Sequence, residues 1–221
     1  MTLNGEPVEP LPGGGLLLPA SAALIVADLH LEKGSAFARA GAMLPPYDSQ
    51  ATLASLARLI AAAAPKLVVC LGDSFHDADG PARLPPDSLS HLAALQRGRD
   101  WLWLLGNHDP ALPAALGGEM RQELALGRLR LRHQPAAGEQ AGEVAGHLHP
   151  KASLLAGGRR IVRRCFISDG ARMILPAFGA YAGGLDVLDP AFRPYFPGAF
   201  HAHMLGRQRV HAVPRRRLEA L

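Results

Sequence analysis

Five short apolar runs in this chain each stop at residues able to bind a metal ion, and this pattern restricts the fold more than any other feature. LIVADLH ends on Asp28 and His30, and LVVCLGDSFHD on Asp73 with His76 and Asp77 behind it. LWLLGNHD ends on Asn107, His108 and Asp109, RLRLRHQP on His133, and EVAGHLHP on His147 and His149. Six of the ten histidines lie at these ends. Short apolar runs bounded by Gly or Pro read as buried strands. Ligands of open α/β sheets bind beyond the carboxyl ends of the strands. The chain must therefore gather several strand ends at one place, forming a site rich in imidazole and carboxylate. A dinuclear metal centre answers that description best.

The elements between these motifs indicate how the gathering is done. GGGLLLPASAALIVADLH reads as two strands around a Pro-Ala-Ser turn, and residues 31–47 as a long loop. Asp48 or Ser49 caps a helix running to about Ala63, with Leu53, Leu56, Ala57 and Ile60 on one face. A strand at 66–71, a helix capped near Asp87 or Ser88 and stopped by Gly98, and a strand at 101–105 follow. This alternation implies parallel pairing. After about residue 124, short strands at 128–133, 143–146, 160–168, 171–175 and 208–213 suggest an antiparallel second half. Asp169-Gly170 signals a two-residue hairpin turn there. With no repeat and no linker, residues 1–221 read as one α/β domain: two mixed sheets face to face, with helices outside.

Hydrophobic residues make up 48% of the chain and charged residues 19%, enough for a full core. The net charge is +4, and Arg supplies 20 of the 23 basic residues, which fits either an anion-binding purpose or a GC-rich coding sequence. Cys70 and Cys165 sit in apolar runs and read as reduced core thiols, as expected of a cytoplasmic protein. The N-terminus lacks a charged region followed by an apolar one, so no signal peptide is expected. No apolar run reaches the length of a membrane span.

In an extended segment, Asp28 and His30 share one side, while His147 and His149 would both face inward onto neighbouring ions. Mixed carboxylate and imidazole donors suit Mn, Fe or Zn better than Mg or Ca, and no thiolate demands a soft metal. One D-x-H or H-x-H alone usually marks a satisfied polar residue. Five such motifs in series are not explained that way.

The ordered series D-x-H, G-D, G-N-H-D, H, G-H-x-H over residues 28–149 resembles the calcineurin-like metallophosphoesterases. The resemblance implies a two-sheet β-sandwich flanked by helices in α-β-β-α layers, and two divalent ions, Mn before Fe or Zn. It implies Asp28, His30, Asp73 and His149 around one ion, and Asp73, Asn107, His133 and His147 around the other. Asp73 then bridges, which calls for an anionic bidentate ligand. His108 is left free to face substrate and to protonate a leaving oxygen, while Asp109 braces the loop. Where the phosphoprotein phosphatases of this superfamily carry an Asp, this chain has His76. G-D-x-F-H resembles the nuclease branch instead, implying that His76 positions a diester phosphate; the plainer alternative is packing against Phe75. The exchange also removes the Asp that would orient His108.

A closer resemblance spans nearly the whole chain. DLHLEKGSAFARAGAMLPPYDS, FHD, GHLHPKA, LPAFGAYAGGLDVLDPAF and LGRQRVHAVP are similar to the bacterial ligase-associated metallophosphoesterases, the DNA damage response endonuclease (PdeM) family. This implies a phosphodiesterase acting on DNA, with an ATP-dependent DNA ligase and a large helicase as partners and no membrane. Lys33 and Arg39 are the candidate substrate-phosphate contacts. Lys151, the arginines at 159, 160, 163 and 164, and the Arg215–Arg217 tail read equally as solvated faces. Phe178, Tyr181 and the glycines of FGAYAGG either wall the site or permit a tight turn. The competing readings are a phosphodiesterase for small cyclic or dinucleotide diesters, and a metal-binding scaffold in a ligase–helicase complex. A phosphoprotein phosphatase is disfavoured by His76.

Overall fold

The computed structural model describes residues 1–221. A small ribbon, β1 (Thr2–Leu3) and β2 (Glu6–Pro7), precedes two stacked sheets. The first sheet has the order β3 (Glu9–Pro10), β4 (Leu16–Leu18), β5 (Ala23–Val26), β6 (Leu67–Leu71), β7 (Asp100–Leu104), β8 (Glu119–Arg121). From β5 to β8 it is parallel, as the alternation of strands and helices implied. Its central strands β5, β6 and β7 are buried on both faces, so their residues divide by parity. Leu24, Val26, Val68, Cys70, Trp101 and Trp103 meet α2 (Asp48–Ala63) and α4 (Pro86–Gln96) through Leu53, Leu56, Ile60, Leu92 and Leu95. Ala23, Ile25, Val69, Leu71, Leu102 and Leu104 face the other sheet and pack on Leu129, Leu131, Val144, Phe166 and Met173.

The second sheet contains β9 (Glu123–Leu126), β10 (Leu129–Arg132), β11 (Glu143–Ala145), β12 (Pro150–Ala156), β13 (Arg159–Ser168), β14 (Met173–Ile174), β15 (Leu185–Asp186), β16 (His201–Leu205) and β17 (Val210–Pro214). Its spatial order is β15-β12-β13-β14-β11-β10-β9, with β16 on β13 and β17 on β16. This half is mixed rather than antiparallel: β10 pairs β11 in parallel, and β11 pairs β14 in parallel. The correction matters for the site. An antiparallel β10–β11 pair would send His133 and His147 to opposite ends of the sheet. The parallel register Arg132↔Ala145 carries both off the same end, and the Gly146 N–H donates to the His133 carbonyl at 3.0 Å.

Other expectations also change. The segment 31–47 contains a helix, α1 (Lys33–Arg39), and a further short helix, α3 (Gly80–Arg83), precedes α4. Asp169-Gly170 is not a two-residue turn. The register Ser168↔Met173 leaves a four-residue loop, held by Asp169 Oδ1 accepting from the Ala171 and Arg172 amides at 2.9 Å each. The fourth layer of the sandwich is not helical. The outer face of the second sheet (Ala145, Cys165, Ile167, Ala202, Met204) is covered by Val187, Phe192, Phe196 and Phe200 from an irregular segment with one 3-10 turn. Cys70 and Cys165 are buried and free. No helix is long and apolar enough to cross a membrane.

Candidate metal centre

Five of the seven candidate ligands leave their strands through backbone that L-residues seldom adopt. Asp28 (φ 55°), His30 (43°), Asp73 (46°), His147 (70°) and His149 (48°) are all left-handed. The extended D-x-H and H-x-H geometry expected from spacing is therefore absent. Such residues cost about 1–3 kcal/mol each and persist where the surroundings impose them. Here the surroundings are the motif glycines and backbone bonds between loops. A Cβ on Gly72 would lie 2.6 Å from the His133 ring, and one on Gly106 would strike Asp73 Oδ1. The His30 amide donates to the Asp73 carbonyl at 2.9 Å, tying the first loop to the second.

The side chains then converge. Asp28 Oδ1 lies 3.4 Å from His149 Nε2, and His149 Nε2 lies 3.2 Å from His30 Nε2. Asp73 Oδ2 is 4.0 Å from His30 Nε2 and 3.3 Å from His133 Nε2, so one carboxylate reaches both groups. His133 Nε2 is also 2.9 Å from Asn107 Oδ1 and 3.2 Å from His147 Nδ1. His133 fixes the electronic argument. Its Nδ1 faces the Leu71 carbonyl at 2.8 Å; a carbonyl only accepts, so Nδ1 carries the proton. In the neutral ring Nε2 is then a bare lone pair. It points at a carboxylate oxygen, an amide oxygen and another imidazole nitrogen. Such converging atoms need a proton or a metal cation among them, and this donor set fits divalent transition ions. Asp28, His30 and His149 form one group able to hold an ion, and Asp73, His133 and His147 a second.

The charges are set accordingly. Burial alone would raise the Asp73 carboxyl, but hydrogen bonds and charge from His133 and His108 outweigh it and hold it at about 2. Burial, helped by the neighbouring His149, takes His30 down to about 3, so its ring is a neutral donor. Burial, then His133, lowers His147 as well. His133 runs the other way: burial pulls it down, but the Asp73 and Asp28 carboxylates and the Leu71 carbonyl raise it.

Asp109 braces the centre, as the sequence suggested. Fully buried, its Oδ1 accepts from the Asp73 and Gly106 amides at 3.0 Å each, and its Oδ2 from Ser74 (2.7 Å) and Phe75 (3.1 Å). Burial pushes its pKa up to about 6 against the pull of those N–H groups. His108 has an orienting partner that no side-chain motif reveals. Its Nδ1 donates to the main-chain carbonyl of His76 at 2.7 Å, while its own amide donates to Asp73 Oδ1 at 2.9 Å. The remaining Nε2 stands 4.0 Å from Asp73 Oδ2 on a side chain 40% exposed, at the mouth of the site. His76 stacks on His108 (5.3 Å between centroids, 23°) and lies against Phe37 (5.7 Å) rather than closing on its neighbour Phe75.

The basic candidates separate. Lys33, at the start of α1, sits 5.8 Å from the Phe37 ring centre and is close enough to depress both His30 and His76. Arg39, at the other end of α1, forms an exposed ion pair with Asp79 at 3.2 Å. Arg164 is structural: its Nη1 donates to the carbonyls of Ala177 (2.7 Å) and Phe178 (3.2 Å). Gly179 is required by close approach rather than by a turn, since a Cβ there would strike the Leu29 carbonyl. A cavity of about 610 Å³ beneath Trp101 lies at the amino end of the first sheet and contains none of the candidate ligands.

A parallel-centred sandwich with two imidazole–carboxylate groups at its strand ends defines the metal-dependent phosphoesterase class. Residues 22–169 match the calcineurin-like phosphoesterase family model, and the chain belongs to that family. Among solved structures it is similar to the Pseudomonas putida nuclease MPE, with 28% identity and a TM-score of 0.73 over 96% of this chain and 98% of that one. It is also similar to Yfce, a phosphoesterase from E. coli, with 15% identity and a TM-score of 0.42 over 86% of this chain and 97% of that one. No curated protein sequence matches it.

Proposed function

We propose that residues 1–221 form one domain, a phosphodiesterase that holds two divalent ions, Mn in preference to Fe or Zn, and cleaves nucleic acid, specifically DNA. The ligands in this reading are Asp28, His30, Asp73 and His149 for one ion, and Asp73, Asn107, His133 and His147 for the other. The observation that carries it is the placement of His133 Nε2: the ring is fixed by the Leu71 carbonyl, and Nε2 lies 2.9–3.3 Å from Asn107, His147 and Asp73 donor atoms. The nuclease similarity at 28% identity supports a nucleic-acid diester as substrate. A ligase-associated repair setting, with an ATP-dependent DNA ligase and a helicase as partners, rests on the sequence resemblance.

Paired ions supply charge neutralisation at the phosphoryl group and activation of water. The chain's own residues do the rest. Asp73 is held by the His108 amide, and Asp28 by the His147 amide, which donates to both carboxylate oxygens at 3.2 and 3.0 Å. Both carboxylates are thus positioned before any ligand arrives. His108, clamped at Nδ1, presents Nε2 to the mouth of the site, where its protonated form delivers a proton to the departing oxygen. His76 holds that ring from the side, and Lys33 stands close enough to meet a phosphate.

The test is activity of metal-loaded protein on bis-aryl phosphodiester, the matching monoester, cyclic nucleotides, and single- and double-stranded DNA. Diester cleavage well above monoester cleavage, highest with Mn, is expected. Activity on monoesters alone overturns the reading, and no activity on any member favours a metal-binding scaffold.

A further inference from the structure

A polar cavity of about 420 Å³ opens directly beside the second ligand group, sharing Asn107 and His133 as walls. Its other polar walls are Gln122, Glu123, Arg132 and Gln134, and Leu105 is its single hydrophobic lining residue. That volume lies within the range of small-ligand sites, but the lining is wrong for an apolar guest. It is also wrong for a second phosphate. The one cation, Arg132, is already matched by Glu123 at 2.9 Å and Glu143 at 3.6 Å. What the cavity offers is hydrogen bonding without net charge. Gln122 is exposed and makes no side-chain hydrogen bond, and the Gln134 amide makes only a 3.4 Å contact to Asn107. Elsewhere Gln96 is anchored to the Leu116 carbonyl at 2.8 Å. A primary amide presents a donor and an acceptor side by side, the arrangement that pairs with the edge of a base.

We infer that this cavity is a nucleobase subsite, in which Gln122 and Gln134 take the base edge of the nucleotide whose phosphate lies on the adjoining ligand groups. The inference rests on the phosphodiesterase reading above and adds to it the part of the substrate that the site recognises. Because Asn107 and His133 belong to both the ligand group and the cavity wall, a base seated there stays within one nucleotide of the scissile phosphate. Neutral, paired surroundings suit a base, while the phosphate is left to the ions that the group next door would hold.

The experiment compares two esters with the same leaving group: bis-p-nitrophenyl phosphate, and the p-nitrophenyl ester of thymidine 5′-phosphate. The readout is the ratio of kcat/KM for the nucleotide ester over the bis-aryl ester, in wild type, Gln122→Ala, Gln134→Ala and the double variant. Each lost hydrogen bond should lower that ratio about threefold to tenfold, and the double variant should lower it further. An unchanged ratio in the double variant overturns the subsite, as does an equal loss on both esters. Wild-type protein inactive on both esters instead overturns the phosphodiesterase reading, so the two failures are told apart.

Discussion

Two of the buried acidic centres in this molecule are finished differently. Glu143, in β11, is 2% exposed and meets Arg172 at 2.7 Å, itself 2% exposed. The Ala136 amide donates to its other oxygen at 2.8 Å, and Arg172 spends further donors on the carbonyls of Ala136 (2.8 Å) and Tyr195 (3.1 Å). Charge is cancelled inside the protein. Asp73 is equally buried, yet it faces His30 and His133 in a group that also includes Asp28, His149, Asn107 and His147, and no guanidinium enters. The first arrangement balances its charge without a ligand. The second has electron pairs in excess, and burial makes that excess costly. Burial of an acid therefore does not mark a site; a buried acid set among imidazoles with no guanidinium to balance it does.

The sharpest way to break the contrast is to neutralise each acid in turn. If Asp73 bridges two ions as proposed, Asp73→Asn removes the anionic bridge, and metal content should fall from two ions per chain to at most one. Activity should fall with it by roughly 10³-fold or more, since such ions supply several kcal/mol of transition-state stabilisation. Elemental analysis and diester hydrolysis read both. Full metal content in Asp73→Asn would remove the bridge from the account.

His108→Ala should keep both ions and lose about 10²–10⁴ in rate, measured on metal-quantified protein. His76→Ala should cost less, because the carbonyl that holds His108 is main chain and survives the substitution. If His76→Ala matches His108→Ala, the His76 ring touches substrate rather than supporting its neighbour.

Glu143→Gln is the counterpart at the finished centre. It strands a buried guanidinium, and breaking such pairs by removing one partner costs about 3–5 kcal/mol. Denaturant unfolding should register that loss while metal content per folded chain stays at two. Loss of metal here would mean that the centres are not independent. Arg132 touches Glu143 and also lines the cavity beside His133, so it is the residue through which such coupling would pass.

The contrast also explains what could be read in advance. Strand-end placement was legible, because apolar runs and ligand letters are both written in the sequence. The left-handed backbone at Asp28, His30, Asp73, His147 and His149 was not, since tertiary bonds impose it against local preference. Nor were the anchors of His108 and His133, which are main-chain carbonyls and leave no letter. Helix α1 escaped for a related reason. Its N-cap, Glu32, is left-handed and makes no side-chain cap, and Gly34 lies inside it. It is held from α2 instead, by Asp48 accepting from the Gly34 amide at 3.0 Å and Ser49 accepting from the Glu32 amide at 2.8 Å. The parallel β10–β11 pair was hidden because strand sequences carry no label for direction. The convergence of His133 with His147 required it all the same.

Acidity tests the ligand group more gently. Without metal, His133 holds its proton above the usual imidazole range because two carboxylates face it. An ion must displace that proton, so metal affinity should rise with pH until His133 is deprotonated, by at most about tenfold per pH unit for one proton. The opposite trend is excluded by sign, because a group with a raised pKa competes most strongly at low pH. Chelator competition at pH 6 and pH 8 measures the difference. Affinity independent of pH would show that His133 is not a ligand.

The smallest expected effect concerns a cation that, unlike Arg172, forms no ion pair. Lys33 is partly buried, and that burial lowers its pKa, with Asp48 offsetting part of the effect. It lies over Phe37 and near the His76–His108 stack. A cation left in that state next to a candidate metal centre suits a phosphate of the proposed nucleic-acid substrate. If Lys33 contacts one phosphate, Lys33→Ala should flatten the dependence of log affinity for DNA on log salt by about 0.7–0.9, one released counterion. Arg39→Ala, which frees only the exposed partner Asp79, should change the slope less. Bis-aryl diester hydrolysis should fall far less than DNA cleavage in Lys33→Ala, because a small ester has no neighbouring phosphate to lose. Equal loss on both substrates would place Lys33 in the support of the histidine cluster, on the structural side of the contrast.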